Sequence, residues 1–448
     1  MKKKFIYILL IGLFFSISAF VVIRYNLHKS ELNNKTYPLI ERQDAAANSV
    51  EWQRTKAASE QLIKQIAYNP NDAKTAVALA TLYVQEGRIT ANYIYYDAAA
   101  MKYINRVLEN EPGNFEALTL KALLYMSQHH FADGLTIAEK GQKINPYNAL
   151  IYGLLVDGNV EMGNYKTAVE NSDKMISIRP DIRSYSRISY LREIHGDYPG
   201  AIDAMKMAVG AGGVGDEPTE WTRMQLARLY ENTGDSLSAK MHYTIALEER
   251  PGYAYAIAGL GHISMISGDY KKALSYYEQA AALVNDFAIK EQLSQLYRMS
   301  GDTKKANDLL DKIIDGMNSD SKKGEEDESI GHYADRELAY AYLLKNDNEN
   351  ALKHALLEYD RRPENIDVNE TVAWVYYKMG DFQKAKVYID TALKTNCKNP
   401  VLLCHAGLIY AKSGSREKAK QVLTEALKNN PGIDIELKEE SAALLKEL

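Results

Sequence analysis

Few stretches of this sequence place reactive side chains at spacings that chemistry requires. Gly210-Ala211-Gly212-Gly213-Val214-Gly215 has the glycine density of a loop that wraps a phosphate. No Lys-Ser/Thr pair follows it and no strand-like run precedes it, so nucleotide binding is not expected there. His129 and His130 are adjacent, which on a helix would point them to different faces, so a turn role is expected rather than a shared metal. Cys397 and Cys404 are too few for a zinc site or a disulfide framework. If the residues between them are helical, they stand about 10 Å apart, too far to bridge. No Ser-His-Asp or Cys-His arrangement has local support, so neither catalysis nor a cofactor is expected.

What the sequence does concentrate is recognition chemistry. Arg183, Tyr185, Arg187, Tyr190, Arg192, Trp221, Arg223 and Arg228 mix guanidinium with aromatic groups over a short span. Arginine forks pair carboxylates through two parallel hydrogen bonds, and aromatics supply stiff contact area, the composition of binding hot spots. Two readings stand side by side. The cluster receives an acidic or C-terminal-carboxylate ligand, or its arginines are neutralised by neighbours such as Glu193 and Glu231.

The elements that position these groups read as helical. Proline and phenylalanine are scarce, at 11 and 8 in 448 residues, which leaves the chain to helix-forming types. Net charge is −5 with both signs mixed and no basic stripe, so nucleic acid is not an expected partner. At the N-terminus Lys2, Lys3 and Lys4 precede an apolar run over 5–23 that Arg24 ends. As a helix this run is about 28 Å long, close to the hydrocarbon core of a bilayer. It reads either as a retained signal anchor, favoured by Phe20-Val21-Val22-Ile23, or as a signal peptide cut before Ala19. In both cases the lysines stay cytoplasmic and the body is extracytoplasmic, membrane-anchored or, after cleavage, secreted or periplasmic. Residues 25–48 read as a linker, 49–71 as a leading helix and 432–448 as a capping helix.

Between Asp72 and Pro431 the sequence repeats. Pro112, Pro146 and Pro180 close apolar stretches 34 residues apart. Turn signatures recur at the same interval: Gly163-Asn164-Tyr165, Gly196-Asp197-Tyr198, Gly234-Asp235, Gly268-Asp269-Tyr270, Gly301-Asp302, Gly380-Asp381-Phe382 and Gly414-Ser415. Five residues after each of these turns, and after Asn346-Asp347 in the one longer gap, stands an alanine: Ala168, Ala201, Ala239, Ala273, Ala306, Ala351, Ala385 and Ala419. Glycine allows the chain to reverse, aspartate caps the next helix, and alanine lets two helices approach closely. A tyrosine precedes several turns, at Tyr230, Tyr297, Tyr342, Tyr376 and Tyr410.

This order of aromatic, Gly-Asp, Ala and Pro over 34 residues resembles the tetratricopeptide repeat and covers about ten units over 72–431. The resemblance implies an all-α, right-handed superhelical solenoid with a concave groove lined by the first helix of each pair, following the N-terminal transmembrane or signal helix. It further implies a scaffold or adaptor that binds partner polypeptides, in the manner of bacterial envelope proteins. The runner-up is a co-scaffold for envelope polysaccharide or lipopolysaccharide assembly. Positions expected to face the groove include Asp157, Arg187, Tyr190, Arg228, His262, Gln295, Arg336, Tyr340 and Trp374; Arg183, Arg192 and Trp221 join them as candidate peptide contacts. The basic clamp by which some relatives hold chaperone tails is absent: the corresponding positions carry Gly153 with Asp157 and Ser186 with Tyr190. Three departures from the pattern are expected to protrude as loops: residues 89–96, the glycine-rich 210–215, and the acidic 317–329.

Overall fold

The computed structural model describes residues 10–24, 35–326 and 331–448. Its elements are helices, and no strand occurs among the described residues. Residues 10–24 form α1, Asp44–Ala47 form α2, and α3 (Val50–Tyr68) leads into ten helix pairs. Hairpins 1 to 5 are α4 (Ala73–Thr90) with α5 (Tyr93–Asn110), α6 (Phe115–Ser127) with α7 (Phe131–Ile144), α8 (Ala149–Glu161) with α9 (Tyr165–Ile178), α10 (Ile182–Ile194) with α11 (Tyr198–Gly210), and α12 (Glu217–Asn232) with α13 (Ser236–Glu249). Hairpins 6 to 10 are α14 (Ala254–Ile266) with α15 (Tyr270–Leu283), α16 (Phe287–Met299) with α17 (Thr303–Glu326), α18 (Asp335–Leu344) with α19 (Asn348–Arg361), α20 (Ile366–Lys378) with α21 (Phe382–Ala392), and α22 (Pro400–Lys412) with α23 (Arg416–Ala426). A single helix, α24 (Ile435–Glu447), follows. Each second helix packs on the first helix of the next pair, which makes the array continuous.

The repeated residues do what their chemistry suggests. The turn glycines take positive φ, from 78° at Gly163 to 88° at Gly414, and Asn346 and His129 take the same conformation where no glycine stands. The aspartates that follow cap the second helices, as when Asp235 accepts from the N–H of Ser238 and Asp381 from that of Lys384. The eight alanines after the turns are all fully buried at the helix crossings, where any larger side chain would push the pair apart.

Three expectations change. Residues 89–96 do not protrude: α4 runs through Thr90, Ala91 turns the chain with φ 55°, and α5 starts at Tyr93, so the extra residues lengthen both helices. Most of the acidic insertion is likewise a continuation of α17 as far as Glu326, because its Lys, Asp and Ser residues are tolerated within a helix. Ser321 Oγ ties this extension to the His332 carbonyl at 3.3 Å, and 327–330 lie outside the described residues. The supposed linker is packed over 35–43. Tyr37 is buried, its carbonyl accepts from Tyr83 Oη at 2.7 Å, Tyr96 Oη accepts from the Ile40 N–H, and Arg42 pairs with buried Glu86. Tyrosine hydroxyls thus satisfy an extended backbone that has no sheet to join. Among the described residues no helix is long and apolar enough to cross a membrane. Helix α1 holds 10–23 of the apolar run, and Arg24, with Phe14 and Phe20 exposed, and the start of that run lies outside the described residues.

Six hairpins complete one turn of the superhelix, and the next turn rests directly on it. The turn of each early hairpin meets the loop that enters the hairpin six places later. His129 Nδ1 donates to the Tyr333 carbonyl at 2.9 Å and His130 Nε2 to that of Gly331 at 3.0 Å. Arg362 pairs with Glu161, Asn365 Nδ2 donates to the Glu161 carbonyl at 3.0 Å, and the Ile366 N–H donates to Tyr165 Oη at 2.8 Å. Further along, Gly432 N–H donates to the Glu231 carbonyl at 2.9 Å, and at the start Arg250 pairs with Glu51 at 2.9 Å. These contacts form a seam between the first and second coils, so the inner face is enclosed as a lumen rather than left as an open groove.

Candidate functional site

The lumen is lined by one face of each first helix, and charged side chains on adjacent first helices pair across the gap between them. Arg187 on α10 forks onto Asp157 of α8, with Nε 2.8 Å from Oδ1 and Nη2 2.5 Å from Oδ2. The same Nε is shared with the Gly153 carbonyl at 3.1 Å, and Nη1 donates to the carbonyl of Arg183 at 3.1 Å. Arg228 of α12 pairs with Glu193 of α10 at 3.2 Å, and that carboxylate is the main reason its pKa is raised. His262 Nδ1 of α14 meets Glu231 of α12 at 2.7 Å; burial works against protonation, but Glu231 outweighs it and the imidazole pKa is raised. Glu370 of α20 accepts from Tyr340 Oη of α18 at 2.8 Å and from His405 Nδ1 of α22 at 2.5 Å. Burial alone would push the Glu370 carboxyl up; His405, then Arg336 and Tyr340, bring it below the usual range.

The predicted contacts therefore divide. Arg187, Arg228, His262 and Tyr340 do face the lumen, but each is engaged by an acidic neighbour. Of the two readings of the arginine cluster, the structure places Glu193 against Arg228, whereas Arg187 is met by Asp157. Tyr190 is surrounded by Asp367, Glu161 and Glu193 with Arg228 nearby, and burial followed by those carboxylates holds its proton on well above the ordinary phenol range. Trp374 is only 8% exposed, stacked on His405 at 3.7 Å and on Tyr377 at 4.8 Å, so it is part of the wall and offers little contact surface. Arg192 lies on another face of α10, 3.8 Å from Asp197 at the hairpin turn, and is not brought together with the others. Trp221 is 46% exposed, seven residues before Arg228 and so on the same side of α12. Gln295 of α16 is half-buried, and Arg336 of α18 donates from Nε to Thr371 Oγ1 at 3.2 Å.

Arg183 stands apart. Its guanidinium makes no hydrogen bond or ion pair among the described residues. Burial, partly offset by Asp181 and reinforced by Arg187, Arg88 and Arg179, lowers its pKa. The Asp181 carboxylate is already occupied by Arg179 Nε at 3.1 Å and by the N–H groups of Arg183 and Ser184. Arg183 lines the mouth of a cavity of about 350 Å³, with Leu150, Met175 and Ile178 as apolar walls and the ring of Tyr147 79% exposed beside it. Sequence reasoning included Arg183 but passed over Tyr147 and Arg88. It also missed the Tyr340–Glu370–His405 group, whose members follow one another at 30 and 35 residues, the spacing of one repeat. Among the described residues no three or more His, Cys, Asp or Glu side chains are placed to hold a metal ion.

Models of the tetratricopeptide repeat match residues 256–291, 366–396 and 401–433. A comparison with curated proteins finds no match. Among solved structures the chain is similar to a tetratricopeptide repeat protein from Parabacteroides merdae ATCC 43184, with 18% identity over 55% of this chain and 94% of that one and a TM-score of 0.42. It is also similar to the APC/C hetero-tetramer Cut9–Hcn1, with 16% identity over 96% and 82% and a TM-score of 0.40, and to MamA, with 19% identity over 35% and 91% and a TM-score of 0.29. With TM-scores below 0.5, no functional inference passes from these structures to this chain. The matched segments coincide with hairpins 6, 9 and 10, hairpins 3, 4, 5 and 7 share the same glycine turn and crossing alanine, and the chain carries tetratricopeptide repeats.

Proposed function

We propose that this chain is an interaction scaffold that holds partner polypeptides at the lumen and its rim, displayed on the extracytoplasmic side of a membrane. The repeat architecture supports the scaffold reading. The display rests on the three lysines followed by an apolar run, whose described part, α1, presents bare apolar side chains. Protease added to intact cells should digest the body if it is displayed or secreted; protection until the cytoplasmic membrane is broken would remove that part of the reading.

Within the arginine cluster, the ligand-binding role falls to Arg183 rather than to Arg187 or Arg228. The carrying observation is its unpaired guanidinium, set among other arginines above an apolar cavity. An acidic side chain or terminal carboxylate would supply the missing partner while an apolar neighbour entered the cavity. Fluorescein-labelled peptides carrying acidic residues or free C-terminal carboxylates provide the test. Arg183→Glu should weaken binding at least tenfold. The side chain sits at the cavity mouth with much of its surface in water and is not part of the helix-packing core, so the fold is expected to persist. Unchanged binding by this variant would sink the assignment.

A further inference from the structure

The two ends of the array are left in complementary states, and we propose that a second copy of this chain seats on the first end to end, α24 of one copy filling a vacant first-helix place beside α3 of the next. The inference comes from the packing of the array and does not depend on the ligand reading above.

The vacant place is visible at the N-terminal end. Helix α3 packs on α4 as every second helix packs on the first helix after it. Among the described residues no first helix accompanies α3: α2 spans Asp44–Ala47 and α1 stands exposed. The result is a groove of about 900 Å³ between α3 and α4, lined by Ala57, Gln61, Lys64 and Tyr68 of the one and Lys74 and Ala78 of the other. Tyr68 is 94% exposed at its edge.

The missing helix exists at the other end. Helix α24 packs on both α22 and α23, as a first helix does on the preceding pair. Among the described residues no second helix covers it. Its outward stripe is Glu436, Glu439, Glu440, Ala443, Lys446 and Glu447, all exposed. The groove carries Lys64 and Lys74 opposite the four glutamates of this stripe, together with Glu60 and with Asp72, whose carboxylate is taken up by Thr75, and Ala443 against Ala57 and Ala78 permits close approach.

The seam repeats the same complementarity. In the first coil a Cβ built on the turn glycine would strike the second coil: 2.4 Å from the Glu364 carbonyl oxygen at Gly163, 2.6 Å from that of Asn396 at Gly196, and 1.9 Å from that of Asn429 at Gly234. The equivalent Gly268, Gly301, Gly380 and Gly414 of the second coil have the same positive φ and nothing within 4 Å. These bare turns are the surface that loops entering a hairpin rest on within the molecule, and the loops entering hairpins 1 to 5 have no coil above them. If α24 completes a hairpin with the α3 of another copy, that copy continues the superhelix eleven places on. The seam's six-place rule then sets the turns of hairpins 6 to 10 against the next copy's loops into hairpins 1 to 5. Such a contact is heterologous and open-ended, so it builds filaments rather than closed dimers.

Cross-linking full-length chain in mild detergent tests this. Gln61→Cys places a thiol in the groove and Ala443→Cys one on α24; both positions are exposed, and the native Cys397 and Cys404 are buried. With a short bismaleimide the double variant should give a ladder of dimers, trimers and longer species. The two single variants should give dimers when mixed and none alone. Lys64→Glu with Lys74→Glu, both on exposed residues, should weaken the concentration-dependent association in sedimentation at least tenfold. A monomer at all concentrations overturns the proposal. So does a Gln61→Cys variant that cross-links to itself, or a groove thiol protected by α1 of the same chain.

Discussion

Alanine at Gly234 is expected to open the superhelix, whereas alanine at Gly380 is not. Both residues hold positive φ, 86° and 81°, so each substitution carries the strain of a left-handed backbone, about 1–2 kcal/mol. At Gly380 the new methyl group enters open space. At Gly234 it lies 1.9 Å from the Asn429 carbonyl oxygen, beside the bond from Gly432 N–H to the Glu231 carbonyl. Something must move, and overpacking of this kind costs about a further 1–3 kcal/mol. Since each coil is already held by its own helix crossings, the seam is the part that yields. Gly163→Ala, against the Glu364 backbone, should behave like Gly234→Ala, and Gly414→Ala like Gly380→Ala. Small-angle scattering should show a larger radius of gyration for the seam variants only, and hydrogen exchange should quicken in the loops around Glu364 and Asn429. Equal radii in both groups would mean that the coils are not held by direct contact. Scattering is the better readout because a repeat array need not unfold in one step, so a single unfolding free energy is poorly defined.

The seam also shows what could be read from the chain and what could not. Most hairpins from the third onward were legible because they rest on local chemistry repeated in register: a glycine for the reversal, an aspartate for the cap, an alanine for the crossing. The lengthened α4 and α5 were not, because inserting whole helical turns on both sides of a bend keeps the packing faces aligned while erasing the expected glycine turn; Ala91 bends the chain instead. The pairing of luminal charges was partly legible. Asp157 with Arg187, Glu193 with Arg228, Glu231 with His262 and Glu370 with His405 lie 30 to 35 residues apart, so acid and base follow one another at equivalent places of adjacent repeats. Coil-to-coil contacts about 200 residues apart carry no such period. Tyr165, expected only as a turn residue, turns out to accept from the N–H of Ile366, and Glu161 to receive Arg362. Their registry depends on the number of hairpins per superhelical turn, which small changes at every crossing accumulate to set. An open groove was therefore the natural expectation and an enclosed lumen the outcome.

Acid should release the seam at hairpin 2, and His332 should be the group that does it. Its ring lies 4.4 Å from that of His129, while His130 stacks on Tyr333 at 4.0 Å, so three imidazoles from the two coils share one contact. Arg361 lies over the Tyr333 ring and Arg362 over Phe131, both at 4.4 Å, which adds positive charge around the contact. The acids nearby are Asp133, 3.9 Å from His130, and Glu161, which is paired with Arg362. Burial first, and then His129 and His130, push the His332 pKa down to about 3. A histidine whose folded pKa is depressed stabilises the fold fully above its unfolded pKa, near 6.5, and loses that contribution as pH falls towards the folded value. At pH 5 the loss comes to about 2 kcal/mol, at about 1.4 kcal/mol per pH unit below 6.5. Asp97 and Glu291 act in the opposite direction. Burial raises both to about 7, so they take up protons in the folded chain and favour it as pH falls. The telling quantity is thus the difference between the native chain and His332→Gln, in which those two carboxyls cancel. Protection of the Tyr333 N–H, which donates to the Gln128 carbonyl across the seam at 3.0 Å, reports the contact directly. After correction for intrinsic exchange, protection at this amide should fall about 30-fold further in the native chain than in His332→Gln between pH 7 and pH 5, the factor that corresponds to about 2 kcal/mol. The same pH dependence in both chains would show that the seam does not titrate through this imidazole.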